Sequence, residues 1–176
     1  MFEIVAERPQ DAAPREALLD LVFGAERQKR TVYRLRGGTA PAPGLSLVAL
    51  ENDAFCGSLR FWPVSVDGAR APLLLGPLAV DPARHGQAIG VALVRRGLRA
   101  AAANAHDLVL VVGEPAYYAR FGFSSAAVLG LSLPGPVDEN RILVLAIGGA
   151  LAQRIGGPVG RADRTAFDSI SSDPAS

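Results

Sequence analysis

Leu73–Leu93 reads LLLGPLAVDPARHGQAIGVAL, and the interpretation of this stretch decides the fold. The run Leu73-Leu74-Leu75-Gly76-Pro77-Leu78-Ala79-Val80 is too apolar for an exposed strand, yet Gly-Pro sits in its middle, where a continuous hydrogen-bonded ladder resists proline. A bulge or split at that point reconciles the two features. After Asp81-Pro82 the chain passes through a loop into a helical pattern over residues 88–105. There Ile89, Leu93, Gly97 and Ala101 stack on one face with Val94 and Leu98 beside them, while Arg95, Arg96 and Arg99 point elsewhere. The apolar run Leu108–Val112 then predicts a buried strand. Residues 72–112 thus form a strand-loop-helix-strand crossover, and its two strands are expected to be parallel.

Upstream, Phe2–Ala6 predicts a strand ending at Arg8-Pro9, with Asp11 placed to cap a helix whose apolar positions are Ala17, Leu18, Leu21 and Val22 and whose stop is Gly24. A second helix is expected from Thr31 to Gly37-Gly38, followed by the loop Thr39–Gly44. Two further strands, Leu45–Leu50 and Ala54–Val66, are separated by Glu51-Asn52-Asp53, a polar turn that favours an antiparallel hairpin. Downstream, Pro115–Arg120 predicts a short helix, and Val128–Leu133 and Ile142–Ile147 are expected to complete the sheet. The fold class is therefore α+β: a mixed, mostly antiparallel central sheet split at a bulged strand and flanked by helices.

Bulk properties narrow the functional classes. The chain has 176 residues and is 49% hydrophobic, enough for one domain, taken as residues 1–168 with Ala166-Phe167 a last anchor and 169–176 a loose tail. Its eighteen basic and seventeen acidic residues leave a net charge of +1, so no global field favours nucleic acid or an anionic membrane. Arg27, Lys29, Arg30, Arg34 and Arg36 cluster locally, with the spacing of a solvated helix face or, alternatively, of contact with an anionic ligand. The N-terminus carries Glu3 where a signal peptide carries bases, and the expectation is a soluble, cytoplasmic protein. One cysteine and two histidines are too few for a zinc site; Cys56 is expected to be buried, and His106 to be structural or solvent-facing.

A strand, a glycine-containing loop and a helix N-terminus together direct free backbone N–H groups and the helix dipole at one point, which suits an anion. Residues 78–93 have that order. They lack Gly-x-Gly-x-x-Gly and Gly-Lys-Ser/Thr, so neither a dinucleotide fingerprint nor a P-loop is present. On this physics alone, an anion cradle and an ordinary crossover turn both stay open.

The stretch from Leu78 to Leu93 resembles the acetyl-CoA motif of the GNAT superfamily, Gln/Arg-x-x-Gly-x-Gly/Ala. A second block, Gly113-Glu114-Pro115-Ala116-Tyr117-Tyr118-Ala119-Arg120-Phe121-Gly122-Phe123, resembles that family's tyrosine-containing helix and following Gly-Phe. The paired blocks, with Leu45–Ala49 and Gly76–Val80, look most like a bacterial branch of predicted N-acetyltransferases. Two departures stand out. His85 replaces the usual Gln or Arg, and Ala88 replaces the first glycine of the pattern, where a Cβ obstructs close approach or an unusual backbone angle unless the residue lies in the first helical turn.

The resemblance implies a GNAT-like sheet and an enzyme that moves an acetyl or other short acyl group from acetyl-CoA, without a metal, to a small-molecule or peptide amine. It is compatible with a homodimer. It also implies that pantetheine enters the split and pairs with Leu78, Ala79 and Val80, one of whose N–H groups polarises the thioester carbonyl. Pyrophosphate meets Gly86, Gln87, Ala88, Ile89 and Gly90, with Arg84 or His85 as charged neighbours. Tyr118 is the implied acid for the leaving thiolate, ahead of Tyr117, and Glu114 is the candidate base for the amine. Phe23, Glu26, Arg27, Arg60, Phe61 and Trp62 are implicated in the acceptor pocket. The alternative is a CoA-binding regulatory or non-catalytic protein of the same fold; a nucleic-acid module resting on the arginine cluster is weaker.

Overall fold

A computed structural model describes residues 1–147 and 155–162. Strands β1 (Phe2–Ala6), β2 (Ser46–Glu51), β3 (Ala54–Asp67) and β4 (Leu73–Val80) pair antiparallel in that spatial order. Helices α1 (Ala12–Phe23) and α2 (Thr31–Arg36) lie between β1 and β2 in the chain. The expected hairpin between β2 and β3 turns at Asn52 and Asp53, both in the left-handed region with φ of 51° and 63°, the backbone that a tight two-residue turn requires. From β4 the chain crosses through helix α3 (Ile89–Ala103) into strand β5 (Leu108–Val112), which runs parallel to β4 as expected.

Past β5 come the short helix α4 (Pro115–Tyr118), strands β6 (Ser124–Ser125), β7 (Leu131–Ser132) and β8 (Ile142–Ala146), and finally β9 (Gly156–Arg161). Strand β8 pairs antiparallel with β5 and carries β6 on its other edge. One expectation is corrected here, and one strand was not anticipated. Of the segment 128–133, expected as one strand of the sheet, only Leu131–Ser132 is strand: Ala126–Leu129 is a 3₁₀ turn, and β7 joins the sheet through β9. Strand β9, with the sequence Gly-Gly-Pro-Val-Gly-Arg, has no strand-like pattern, yet it pairs with the far half of β3 at Val64↔Arg161 and Ser65↔Gly160. Its pairing uses the exposed edge that the long β3 offers, and its one apolar anchor in the core is Val159. Ala166-Phe167 and the tail 169–176 lie outside the described residues.

The unbroken apolar runs follow from covering the sheet on both faces. Leu73, Leu75, Val109 and Val111 pack with Ile89, Leu93 and Val94 of α3, whereas Leu74, Leu108 and Leu110 face Leu35, Val144, Leu131 and Val159. Cys56 is fully buried and its thiol approaches the Ala49 carbonyl at 3.3 Å. His106 is structural: it is buried, with Nδ1 3.0 Å from the Ala71 carbonyl oxygen. Asp11 precedes α1 as expected but does not cap it. Its carboxylate accepts instead from the Arg8 backbone N–H at 2.8 Å and from the Arg8 guanidinium at 3.0 and 2.9 Å.

Helix α3 approaches the sheet closely at Gly97, where an added Cβ would stand 2.7 Å from Cζ of the fully buried Phe61. Alanine is the better helix former, but here its methyl group has no room. Gly97→Ala is therefore expected to lower the free energy of unfolding by about 1–2 kcal/mol, measured by urea denaturation. A stabilised variant would mean that the helix is free to lift from Phe61.

Candidate active site

The site begins with a mismatch in strand pairing. Leu59 of β3 faces Leu78 of β4 and Phe61 faces Leu75, so Gly76 and Pro77 both stand opposite Arg60 alone. This is the bulge that Gly-Pro required. The Gly76 carbonyl is held by the Trp62 indole N–H at 2.8 Å, and Pro77 has no N–H to offer a neighbour. On its other side β4 pairs with β5 only at Leu73↔Val109 and Leu74↔Leu110. Beyond that the strands part: Leu78, Ala79 and Val80 remain on β3, while Val111 and Val112 remain on β8. The edge of β4 at Leu78–Val80 consequently faces an open wedge. A cavity of about 220 Å³ lies at its apex, lined by Phe23, Tyr33, Arg36, Leu78, Glu114 and Tyr118 among others.

At the far end of β4, Asp81 accepts from the Ala83 N–H at 3.0 Å and starts a 3₁₀ turn over Pro82–Arg84. His85, Gly86, Gln87 and Ala88 follow, all exposed, and α3 starts at Ile89. The first bond of the helix is from the Ala92 N–H to the Ala88 carbonyl at 3.0 Å, which leaves the N–H groups of Ile89, Gly90 and Val91 without intrahelical partners. A groove of about 410 Å³ runs past Val80, Arg84, His85, Gly86, Ala88 and Gly90. Ala88 does not lie within the first helical turn, the position at which a Cβ is tolerated. It is the N-cap residue, with φ 58° and ψ 23° in the left-handed region. Arg84 lines the groove with its guanidinium committed to Glu51, and it lies 3.7 Å from Asp81.

The adjacent tyrosines part company in the folded chain. Tyr118 is buried and lines the cavity at the wedge; Tyr117 is half-buried and lines the loop groove. Their rings meet edge to face with centroids 5.0 Å apart. Gly113, at the end of β5, makes room for Tyr118: an added Cβ would stand 2.8 Å from Cδ2 of that ring. Burial raises the Tyr118 phenol above its ordinary pKa, reinforced by Tyr117 and opposed by Arg141. Glu114 is exposed at the start of α4 and lines the same cavity as Tyr118, so the structure brings the two expected reactive side chains together. Tyr117 and Arg120 belong to the groove, with the Arg120 guanidinium carbon 4.6 Å from the Tyr117 ring centre. Arg120 was signalled in the sequence only by its place in the tyrosine block.

Of the residues implicated in an acceptor pocket, Phe23 lines the wedge cavity, and Arg27, Arg60 and Trp62 line a neighbouring cavity of about 360 Å³. The other two do not contribute: Phe61 is in the core, and Glu26 is exposed and paired with Lys29. Tyr33 and Arg36 border both cavities; Tyr33 escaped the sequence reading as a site residue, and Arg36 entered it only as a member of the arginine cluster, with contact to an anionic ligand as the alternative to a solvated face. The arginine cluster is likewise not one solvated face. Lys29, Arg30 and Arg34 are exposed, but Arg27 and Arg36 are buried, 5% and 7% exposed. Among the described residues, no three His, Cys, Asp or Glu side chains are grouped to hold a metal ion, and no helix is long and apolar enough to cross a membrane.

Comparison with known proteins agrees with this architecture. A model of the acetyltransferase (GNAT) domain matches residues 42–125. YhbS of Escherichia coli K12, described as an uncharacterized N-acetyltransferase, is 34% identical over 143 residues, covering 80% of this chain and 84% of that protein. The crystal structure of Escherichia coli YhbS in complex with CoA matches with a TM-score of 0.78 at 30% identity, over 95% of this chain and 92% of that chain. A GNAT acetyltransferase from Brucella melitensis, solved in complex with acetyl-CoA, matches with a TM-score of 0.67 at 33% identity, over 96% of this chain and 99% of that one.

The left-handed backbone at Ala88 yields a test of the loop. Such a conformation strains any residue with a Cβ, so Ala88→Gly is expected to raise the free energy of unfolding by roughly 0.5–1 kcal/mol in urea denaturation, after the entropic cost of glycine is subtracted. Destabilisation would show that the loop is relaxed as it stands.

Proposed function

The chain belongs to the GNAT family of N-acetyltransferases, and from that premise we propose that it transfers an acetyl or other short acyl group from acyl-CoA to an amine by direct attack. The observation that carries the reading is the open edge of β4 at Leu78–Val80, with the unpartnered N–H groups of α3 at one end and the Tyr118–Glu114 cavity at the other. A pantetheine arm is extended and rich in amides, so it can lie along that edge as a further strand. The pyrophosphate then falls at the loop. There the N–H groups of Gly86, Gln87, Ala88, Ile89 and Gly90 and the positive end of the helix dipole receive it, with His85, Arg84 and Arg120 at the border. Acetyl-CoA is the donor and no metal is invoked. We place the reaction in the cytoplasm.

At the apex, a backbone N–H of Leu78 or Ala79 polarises the thioester carbonyl and stabilises the charge that grows on its oxygen. The amine nitrogen bonds to the acyl carbon as the carbon–sulfur bond breaks. Glu114 accepts the amine proton, directly or through water, and Tyr118 donates its phenolic proton to the departing sulfur. A phenol with a raised pKa stays protonated to higher pH than an exposed tyrosine, which suits the donor role over the whole range in which amines become nucleophilic.

Acetyl-CoA is expected to raise the melting temperature, and free CoA should appear with a competent amine. Tyr118→Phe should lower kcat by about 100-fold while leaving acetyl-CoA affinity unchanged. Because burial raises the Tyr118 pKa, kcat/KM of the native enzyme should climb as the amine deprotonates and show no descending limb up to about pH 10. Tight CoA binding with no turnover across a broad amine panel would instead make the protein a non-catalytic CoA-binding member of the fold. Full kcat in Tyr118→Phe would remove the phenol from the mechanism.

A further inference from the structure

The structure buries two arginines and treats them differently. Arg27 is surrounded by partners: its Nε donates to Asp20 at 2.9 Å, its Nη1 donates to the Tyr33 hydroxyl at 3.1 Å, and its Nη2 pairs with Glu16. Arg36, on α2, has buried Nε and Nη1 atoms with no hydrogen-bond partner, and among the described residues no carboxylate lies within ion-pairing distance of it. Its guanidinium carbon stands 4.9 Å from the Tyr33 ring centre and 5.9 Å from that of Trp62. Contact with ring faces offsets only part of the cost of taking a full charge out of water. Burial, opposed in part by the neighbouring Tyr33 hydroxyl, lowers the Arg36 pKa to about 10, still well above neutral pH, so the group remains a cation.

Its location says what the unmatched charge is for. Arg36 borders both the wedge cavity and the neighbouring cavity, and its Nη2 lies 2.9 Å from where a Cβ on Gly76 would stand, at the bulge that opens the wedge. The other arginines of the neighbouring cavity are neutralised: Arg15 and Arg60 pair with Glu7, and Arg27 with Glu16 and Asp20. Arg30 and Arg141 also line the wedge cavity without an ion pair, but both are exposed, and Arg141 donates to the Gly113 carbonyl at 3.4 Å, so Arg36 is the buried cation of the three. A guanidinium forks onto carboxylate and phosphate alike, but one buried positive charge without a cradle of backbone N–H groups balances a singly charged carboxylate better than a phosphate monoester, which carries close to two negative charges. We propose that Arg36 is the carboxylate-recognition residue of the acceptor site, and that the acceptor is a small amine that also carries a carboxylate, an amino-acid-like compound. The proposal rests on the acyltransferase reading for the position of the amine. It further requires that the carboxylate belong to the acceptor and not to a dicarboxylic acyl group.

The test uses matched pairs, glycine, β-alanine and phenylalanine each against its primary carboxamide, with rates compared on free-amine concentration. The native enzyme should prefer the carboxylate member by at least about tenfold in kcat/KM. Arg36→Met should erase that preference through KM, and Arg36→Lys should restore part of it, since it returns the charge without the fork. Arg36→Met should still bind acetyl-CoA and should melt at an equal or higher temperature, because an apolar side chain replaces an uncompensated buried charge. Equal rates on acids and amides overturn the proposal, as does a sharp drop in melting temperature in Arg36→Met, which would make the arginine structural. A loss confined to succinyl-CoA as donor would assign the guanidinium to the acyl group and overturns it equally. If no amine is turned over, the transferase reading fails by itself. Calorimetric binding of the same acids and amides to the CoA-saturated protein then decides Arg36: at least tenfold tighter binding of the acids, lost in Arg36→Met, supports it, and equal binding overturns it.

Discussion

The structure depends on one failure of strand pairing. Two residues of β4, Gly76 and Pro77, stand against one residue of β3, and past them β4 and β5 no longer reach each other. A parallel pair buried on both faces would ordinarily continue, because unpaired backbone groups in a core are costly. Here each strand satisfies one side with its outer neighbour and leaves the other side open, so the sheet contains its own docking edge. The helix that follows β4 turns its free N–H groups toward one end of that edge, and the helix that follows β5 brings Tyr118 and Glu114 to the other.

Charge fixes the layer above the wedge. Glu7, just beyond β1, accepts from Arg60 of β3 at 2.9 and 2.6 Å and also pairs with Arg15 of α1, which ties the first helix to the sheet. Arg15 and Arg27 share Glu16, and Arg27 donates a hydrogen bond to the Tyr33 hydroxyl of α2, so the polar network extends to the second helix. Each buried cation in this chain has its anion except the last. Arg36 is held in place by packing on Tyr33 and Trp62 and by the helix that carries it, and that is the arrangement expected where a ligand supplies the missing charge.

Most of the fold was legible in the sequence because its elements announce themselves locally. The apolar positions of α3 recur at helical spacing, the polar turn at Asn52-Asp53 sets a hairpin, and Gly76-Pro77 inside an apolar strand demands a bulge. Strand β9 was not legible, since Gly-Gly-Pro-Val-Gly-Arg joins the sheet through backbone groups that every sequence possesses and a single buried side chain, Val159, too little for a strand pattern. Segment 128–133 misled in its extent: it is apolar enough for a full strand, but Ala126–Leu129 coils into a 3₁₀ turn and only Leu131–Ser132 pairs, with β9.

The site divides along the same line. Sequence by itself determined the order of parts, an interrupted apolar strand, a glycine loop at a helix start and a short helix with two tyrosines, because each is a property of neighbouring residues. Only the tertiary structure decided which part faces which. It sent Tyr118 to the wedge and Tyr117 to the loop, gave Arg84 to Glu51, set Ala88 in a left-handed conformation and buried Arg36 with its Nε and Nη1 unbonded and no carboxylate beside it. These outcomes depend on contacts between segments far apart in the chain, and a side chain's charge partner cannot be read from its own neighbours in sequence.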